Sequence, residues 1–420
     1  MFRTDFARKM MSNSVAQGLN FGSRWLLNLA LARHLLETEF GLFSFVYMLA
    51  NLFFPTLAYG VNFYLIHQSA SQRHIGALLS SLSISLLLFV LLSVGFAGYC
   101  VYAEAALDYQ LYWLSLAIGL VWAFNQAVFS YLKGAQQFAI EVKSQLLGGL
   151  FMLVLVAVVW FEYLDDTATV LSWILLVSLP PLLVGIRHLW PELQQSRRDG
   201  LRMRLLWQQL WQPAIWRERF SYAWHDVFAI YLTNIPFIFL ALFSSLTALG
   251  QFRKAFILFM PVTLLPVVFS QVLLAKLSHK PLLQDKIILF RRSLLLTLPL
   301  LSAPYLVLLL LYPWLYPWLL NERLTAESDV VTMLVVITLW LTLVKTYFEV
   351  WITAVGRSNW RAANVTAVAL LSSATYLWCH DELDPILAAW IFMGSNLTAV
   401  LALQGLCWRS YRLELRKQQP

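Results

Sequence analysis

Long apolar runs separated by short polar connections make up nearly all of this chain. The runs fall at 12–34, 41–66, 76–102, 109–132, 145–161 and 168–188, and again at 220–243, 249–275, 293–316, 328–355, 363–379 and 385–408. About 20 residues of helix rise roughly 30 Å, the thickness of a bilayer's hydrocarbon core. In that solvent every backbone N–H and C=O must be satisfied within its own segment or in a closed barrel. These runs are too long and too evenly apolar for barrel strands. The pattern therefore predicts an all-α membrane protein of about twelve transmembrane helices.

Composition supports this reading. Of the 420 residues, 60% are hydrophobic and only 12% charged, against about 25% charged in a soluble domain. The net charge of +8 does not predict a nucleic-acid partner, because the basic residues sit in short loops and act as topology signals. The polar leader from Met1 to Ser14 has no cleavage-site pattern. Of the three cysteines, Cys100 and Cys379 fall near predicted outer helix ends and Cys407 near an inner one. A Cys100–Cys379 disulfide is compatible with that placement, and unpaired apolar thiols are the simpler alternative.

Loop charges give the bundle an orientation. Odd-numbered connections carry Glu37/Glu39, Glu104/Asp108, Glu162/Asp165/Asp166, Glu322/Glu327/Asp329 and Asp381/Glu382/Asp384, with Arg323 as their single basic residue. Even-numbered connections and the termini hold 24 of the 30 Lys and Arg, and five lie inside spans. A missed or invented span would break this alternation downstream, and no break occurs. The positive-inside rule then places the basic loops and both the N- and C-termini in the cytoplasm, and the expected location is the bacterial inner membrane, as a multi-pass protein.

The chain also divides in two. The longest connection, Pro191 to Arg219, is polar and basic, and it separates a six-helix lobe over 1–190 from another over 220–420. Its stretch Leu201-Arg-Met-Arg-Leu-Leu-Trp-Gln-Gln-Leu-Trp either lies on an anionic leaflet or forms a solvated linker helix. Short matches recur in order between the halves. Glu39-Phe-Gly-Leu-Phe-Ser opens span two and Ala248-Leu-Gly-Gln-Phe-Arg opens span eight, while Ser130-Tyr-Leu-Lys-Gly-Ala closes span four and Ile352-Thr-Ala-Val-Gly-Arg closes span ten. Two parallel six-helix repeats, related by an axis along the membrane normal, predict pseudo-symmetric lobes around a central cavity.

Ala32-Arg-His-Leu-Leu-Glu-Thr-Glu-Phe-Gly-Leu-Phe-Ser-Phe-Val, followed by Leu57-Ala-Tyr-Gly, resembles the opening of the polysaccharide transporter family, the Wzx-type O-antigen and exopolysaccharide flippases. In the second half Asp226 through Asn234, Leu249-Gly-Gln-Phe and Val355-Gly-Arg resemble that family's seventh, eighth and tenth helices. The family belongs to the MOP superfamily, which also holds the MATE multidrug exporters and the peptidoglycan-precursor flippase, typically of fourteen helices. The resemblance implies a MOP/MATE-like fold and a lipopolysaccharide or other polysaccharide biosynthesis role. It implies an undecaprenyl-pyrophosphate-linked oligosaccharide carried from the cytoplasmic to the periplasmic leaflet by alternating access of the two lobes. Polymerase and chain-length proteins, and membrane lipids, are then the expected partners. No cofactor is expected beyond a coupling Na+ or H+ gradient.

Ionisable residues inside spans cost at least a few kcal/mol each, so they face a wet cavity or a partner. Arg24 lies mid-span in a polar stripe Asn20/Arg24/Asn28 at helical spacing. Arg253 and Lys254 enter span eight and either meet cargo or snorkel to headgroups. Lys345 and Glu349, four residues apart, either pair with each other or contact cargo. Asp226 next to His225 couples ion movement or pairs with Arg217 or Arg219. Arg33 reads as an anchor beside Glu37 and Glu39. Counting Arg33, five basic residues against two acidic ones favour an anionic cargo, since arginine's planar fork suits phosphate oxygens. The candidate substrate-binding set is thus Arg24, Asn28, Arg253, Lys254, Lys345 and Glu349, with Asp226 for coupling. The resemblance likewise implies basic residues on the first and eighth helices around a cationic cavity.

Two alternatives stay open. A MATE-like drug or cation antiporter calls for acidic residues in the cavity. A membrane polymerase or ligase calls for a sizeable loop bearing acids, bases or metal ligands, whereas the outer loops here are about 4 to 12 residues long and no ligand spacing or glycine-rich phosphate loop occurs. An enzyme is not expected. Prolines interrupt several spans, and Pro55 and Pro266 occupy corresponding places in the two repeats, as candidate bends.

Overall fold

The computed structural model describes residues 18, 19, 21–61, 64–66, 69, 75–103, 109–135, 137–161, 166–198, 212–278 and 282–418. Among the described residues every regular element is a helix. In chain order they are α1 (21–34), α2 (Glu37–Ala58), α3 (Ile75–Ala103), α4 (Tyr109–Gly134), α5 (Phe138–Trp160), α6 (Thr167–Arg198), α7 (Pro213–Phe243), α8 (Leu246–Phe259), α9 (Leu264–Ser278), α10 (Leu283–Leu320), α11 (Ala326–Ala354), α12 (Ser358–Trp378) and α13 (Pro385–Gln418).

Among the described residues ten stretches are long and apolar enough to cross a membrane, against the twelve expected. The other two expected spans correspond to α1, described only over 21–34, and to α12, whose Asn359, Arg361, Asn364 and Thr366 dilute its apolar run. Expected span eight is one membrane segment made of two helices. A 3-10 turn, Met260–Thr263, divides α8 from α9 at Pro261, where the missing N–H interrupts the ladder. Helix α2, by contrast, runs through Pro55 and stops at Ala58.

The long connection is shorter than expected. Helix α6 continues through Pro191 to Arg198 and α7 begins at Pro213, so helix takes up both flanks of the 191–219 stretch. Tyr131 holds the α6 extension by donating its hydroxyl to Glu192 Oε2 at 3.0 Å. The amphipathic stretch 201–211 and Asn20 lie outside the described residues. Cys379 and Cys407 are free thiols, and the side chain of Cys100 lies outside the description.

The chain forms two compact units, one of residues 1–35 and 42–230, the other of 36–41 and 231–420. In the first, α4 and α6 are the central pair, with α3 packed on α4 and α5 on α6. Its core includes Leu116, Ala123, Ala127 and Tyr131 on α4 and Leu182 and Leu189 on α6. In the second, α11 is the hub against which α8, α9, α10 and α13 pack, and α12 lies on α13. Helix α10 is peripheral: only 6% of its apolar window is buried.

The second unit also explains the paired sequence motifs. Gly41, from Glu39-Phe-Gly, lies so close to Leu246 that an added Cβ would overlap its carbonyl. Gly250, from Leu249-Gly-Gln, meets Glu37 O, where a Cβ would stand at 2.5 Å. The two motifs are the two sides of one backbone-to-backbone approach, which only glycine permits.

Candidate functional site

The first unit encloses a polar cavity of about 320 Å³, within the usual range for small-molecule sites. Arg24 on α1, Trp122, Asn125 and Gln126 on α4, and Glu141 and Gln145 on α5 line it. The spacings 122/125/126 and 141/145 put each group on one helical face. The Arg24 guanidinium lies 4.8 Å from the Trp122 ring centroid, a cation–π contact that orients the fork. Trp122 Nε1 in turn donates to Ser178 Oγ at 3.2 Å, and Asn125 Nδ2 donates to Ser178 O at 3.0 Å. The walls are thus held by bonds between α4 and α6.

Among the described residues three lining atoms are buried without a hydrogen-bond partner: Arg24 Nε, Asn125 Oδ1 and Glu141 Oε2. Orphaned polar groups of this kind are costly in low dielectric, and a polar cargo or water in the cavity would satisfy them. Charge is unevenly distributed among them. Glu141 Oε1 accepts from Lys133 Nζ at 2.8 Å, so its negative charge is already matched. Among the described residues Arg24 has no such counterion, so Arg24, Glu141 and the Lys133 behind it together leave one positive charge at the cavity. Asn28, behind Arg24 on the same stripe, is buried and donates Nδ2 to Arg24 O at 2.8 Å.

A second cavity of about 220 Å³ shares Phe54 and Gln126 with the first and has Asp226 on its wall. Asp226 was expected to pair with Arg217 or Arg219 if it did not couple ions. Its neighbour is instead His225, with Nδ1 to Oδ1 at 3.3 Å, because Arg219 is committed elsewhere. Fully buried, Arg219 donates Nε to Tyr59 O at 2.9 Å, Nη2 to Ala58 O at 3.1 Å and Nη1 to Ser81 Oγ at 3.3 Å. Helix α2 ends there in two positive-φ residues, Tyr59 (43°) and Gly60 (66°). The guanidinium is a C-terminal cap for the carbonyls that the chain reversal leaves open. Burial draws its pKa down to about 10, so it stays charged at neutral pH.

The remaining candidates lie in the second unit. Lys254 is 1% exposed and holds Glu322 Oε1 at 2.5 Å and Glu37 Oε1 at 3.6 Å. It is a buried cation between two carboxylates, not a headgroup anchor. Arg253, also buried, stacks on Phe237 and Phe256 at 5.0 and 5.6 Å. Lys345 and Glu349 are half-buried on α11 and form no ion pair with each other among the described residues. Arg33 stacks on Trp160 at 5.1 Å.

Of the expected residues, the first cavity brings in Arg24 alone. Its other polar members lie outside the expected set, which consists of ionisable groups within spans and the Asn28 amide of the Arg24 stripe. Glu141 fell in a connection because span five was started at 145, whereas α5 begins at Phe138. The available signal was amide and carboxylate residues at i, i+3 and i+4 on otherwise apolar helices.

No protein-family profile and no curated protein sequence matches the chain. Solved structures do. An outward-facing multidrug resistance MATE transporter of the MOP superfamily matches with a TM-score of 0.67 at 14% identity, covering 97% of this chain and 96% of that one. The MATE transporter ClbM in complex with Rb+ matches with a TM-score of 0.56 at 17% identity, over 96% and 92%. A MOP superfamily transporter from Pyrococcus furiosus, described by the phrase "reverse polarity of binding pocket suggests different function", matches with a TM-score of 0.63 at 13% identity, over 98% and 96%. This chain therefore has the fold of the MATE transporters of the MOP superfamily.

Proposed function

We propose that the protein is a transporter of the MOP superfamily that carries an anionic lipid-linked cargo, an undecaprenyl-pyrophosphate-linked oligosaccharide, from the cytoplasmic to the periplasmic leaflet of a bacterial inner membrane. The observation that carries this reading is the cavity's charge: among the described residues Arg24 has no counterion, while Glu141 is neutralised by Lys133. A pyrophosphate entering a desolvated site needs cations and donors to replace its hydration. The Arg24 fork and the Asn125, Gln126 and Gln145 amides supply them, and the amides also suit sugar hydroxyls. The loop charges favour cytoplasmic termini, and the description of the Pyrococcus furiosus protein is a precedent in this fold for pocket charge and function differing together.

A MATE-like cation antiporter is the second reading. It is favoured by the buried, unpartnered Oε2 of Glu141 and by the MATE neighbours themselves. On that reading Glu141, with Asp226 in the adjoining cavity, would take the coupling Na+ or H+. A deletion strain separates the two. Lipid-linked repeat units accumulating on the cytoplasmic leaflet support the flippase. Normal surface polysaccharide with raised sensitivity to cationic drugs supports the antiporter, and units accumulating on the periplasmic leaflet point to a polymerase or ligase.

A further inference from the structure

The second unit carries a large groove that the transport reading does not use. It lies between α10, α11 and α13, near the end of the unit where α13 carries Arg409 and Arg412, and has a volume of about 770 Å³. Phe290, Leu294, Phe348, Trp351, Leu401 and Trp408 supply its apolar walls. Beneath it lies the small cluster of Trp351, Ile352, Leu403 and Cys407. Helix α10 does not close it: from Leu283 to Pro304 its only buried residue is Ser293. Gly405 lies on the groove wall, and a Cβ added there would meet nothing within 4 Å.

An apolar groove of this size has no use for water and is suited to a hydrocarbon chain. Its charge identifies the head. Among the described residues Arg291 is the one charged residue lining the groove, and Arg292 beside it is also exposed. Arg412 stacks on Trp408, a groove residue, and Arg409 on Trp360. Lys286, one turn before Arg291, is occupied with Ala354 O at 3.0 Å. Among residues 282–294, 345–354 and 401–413 the acids are Asp285 and Glu349, against Lys286, Lys345, Arg291, Arg292, Arg409 and Arg412, so the stretches around the groove are net basic. Such clusters at a membrane end attract anionic lipid, and guanidinium groups suit phosphate oxygens.

We propose that this groove binds one anionic phospholipid, with an acyl chain along the apolar walls and its phosphate at Arg291. The site is independent of the cavity around Arg24, so it stands or falls apart from the cargo.

The test uses the full chain, delipidated in detergent and titrated with phosphatidylglycerol or phosphatidylcholine of identical acyl chains, with bound lipid counted by native mass spectrometry. Wild type is expected to bind phosphatidylglycerol at least tenfold more tightly. Arg291→Gln, at an exposed position that leaves the fold intact, should bind the two lipids equally. Gly405→Leu fills open space and improves helix propensity; it should lose both lipids. Leu300→Ala, on an exposed part of α10 away from the groove, should behave as wild type. Equal binding of the two lipids by wild type overturns the proposal, as does a preference that survives Arg291→Gln or unchanged binding by a folded Gly405→Leu.

Discussion

Arg219 is the residue whose removal the structure prices most directly. Arg219→Ala deletes two charge-assisted hydrogen bonds to the carbonyls of Ala58 and Tyr59, a third to Ser81, and stacking over Tyr59 and Tyr64. At about 1.5–3 kcal/mol for each of the three charged bonds and about 1 kcal/mol for each of the two ring contacts, the gross loss is roughly 6.5–11 kcal/mol. Relief of charge burial opposes it. The depression of the pKa to about 10 from 12.5 corresponds to roughly 3 kcal/mol at 1.36 kcal/mol per pKa unit. A net destabilisation of at least about 3 kcal/mol follows, or a fall in Tm of at least roughly 6–12 °C for a cooperative unit of this size. Arg219→Lys keeps the charge but not the fork, and should lose about half as much. Arg217→Ala, exposed nearby, should change nothing. Thermal unfolding of purified protein in detergent reads all three. If Arg219→Ala unfolds within about 2 °C of wild type, the cap is not holding the α2 terminus and the reasoning is wrong.

Three more perturbations test other contacts. Gly250→Val places side-chain atoms against Glu37 O and should cost at least about 1–3 kcal/mol, seen as loss of monodisperse protein on size exclusion; tolerance would refute the close approach. Lys254→Met leaves Glu37 and Glu322, both more than a third exposed, without their shared cation and should cost about 1–3 kcal/mol, largely recovered when both glutamates become glutamine; no recovery in a Tm series would mean that the three do not act as a unit. Asp166 accepts Thr169 N and Oγ1, both at 2.8 Å, and these bonds hold its carboxyl below the ordinary range. Its stabilisation is therefore present above the unfolded value of about 4 and fades as pH falls through the lower folded value. Asp166→Ala should cost about 1 kcal/mol at neutral pH and progressively less in acid, and a pH-independent cost would contradict the cap.

Much of the fold was legible because a bilayer is a demanding solvent. Apolar length fixed most spans, and even the broken one at Pro261 fell inside a run read as a single crossing. Helix ends were harder, since polar residues can extend a helix beyond the apolar run: α6 continues ten residues past Ile-Arg-His at 186–188 to Arg198, and α5 begins seven before 145. The second error hid Glu141 in a connection. The cap by Arg219 was out of reach because it joins residues about 160 positions apart. The meaning of Glu39-Phe-Gly and Leu249-Gly-Gln was half visible. Their recurrence suggested duplication, but only the structure brings the two glycine motifs against each other. Arg24 was legible because a cation in mid-span is expensive, whereas the amides around it carry no charge to draw attention.

The central claim is that the Arg24 cavity recognises an anion. Its most direct test is equilibrium binding of a polyprenyl-pyrophosphate-linked oligosaccharide to the purified protein, comparing wild type with Arg24→Gln and Arg24→Lys. Loss of a charge-assisted, bidentate contact worth about 1.5–3 kcal/mol corresponds to roughly 10- to 150-fold weaker binding for Arg24→Gln, with Arg24→Lys in between. Equal affinity in all three proteins, or tighter binding of an organic cation than of the lipid-linked glycan by wild type, would contradict it.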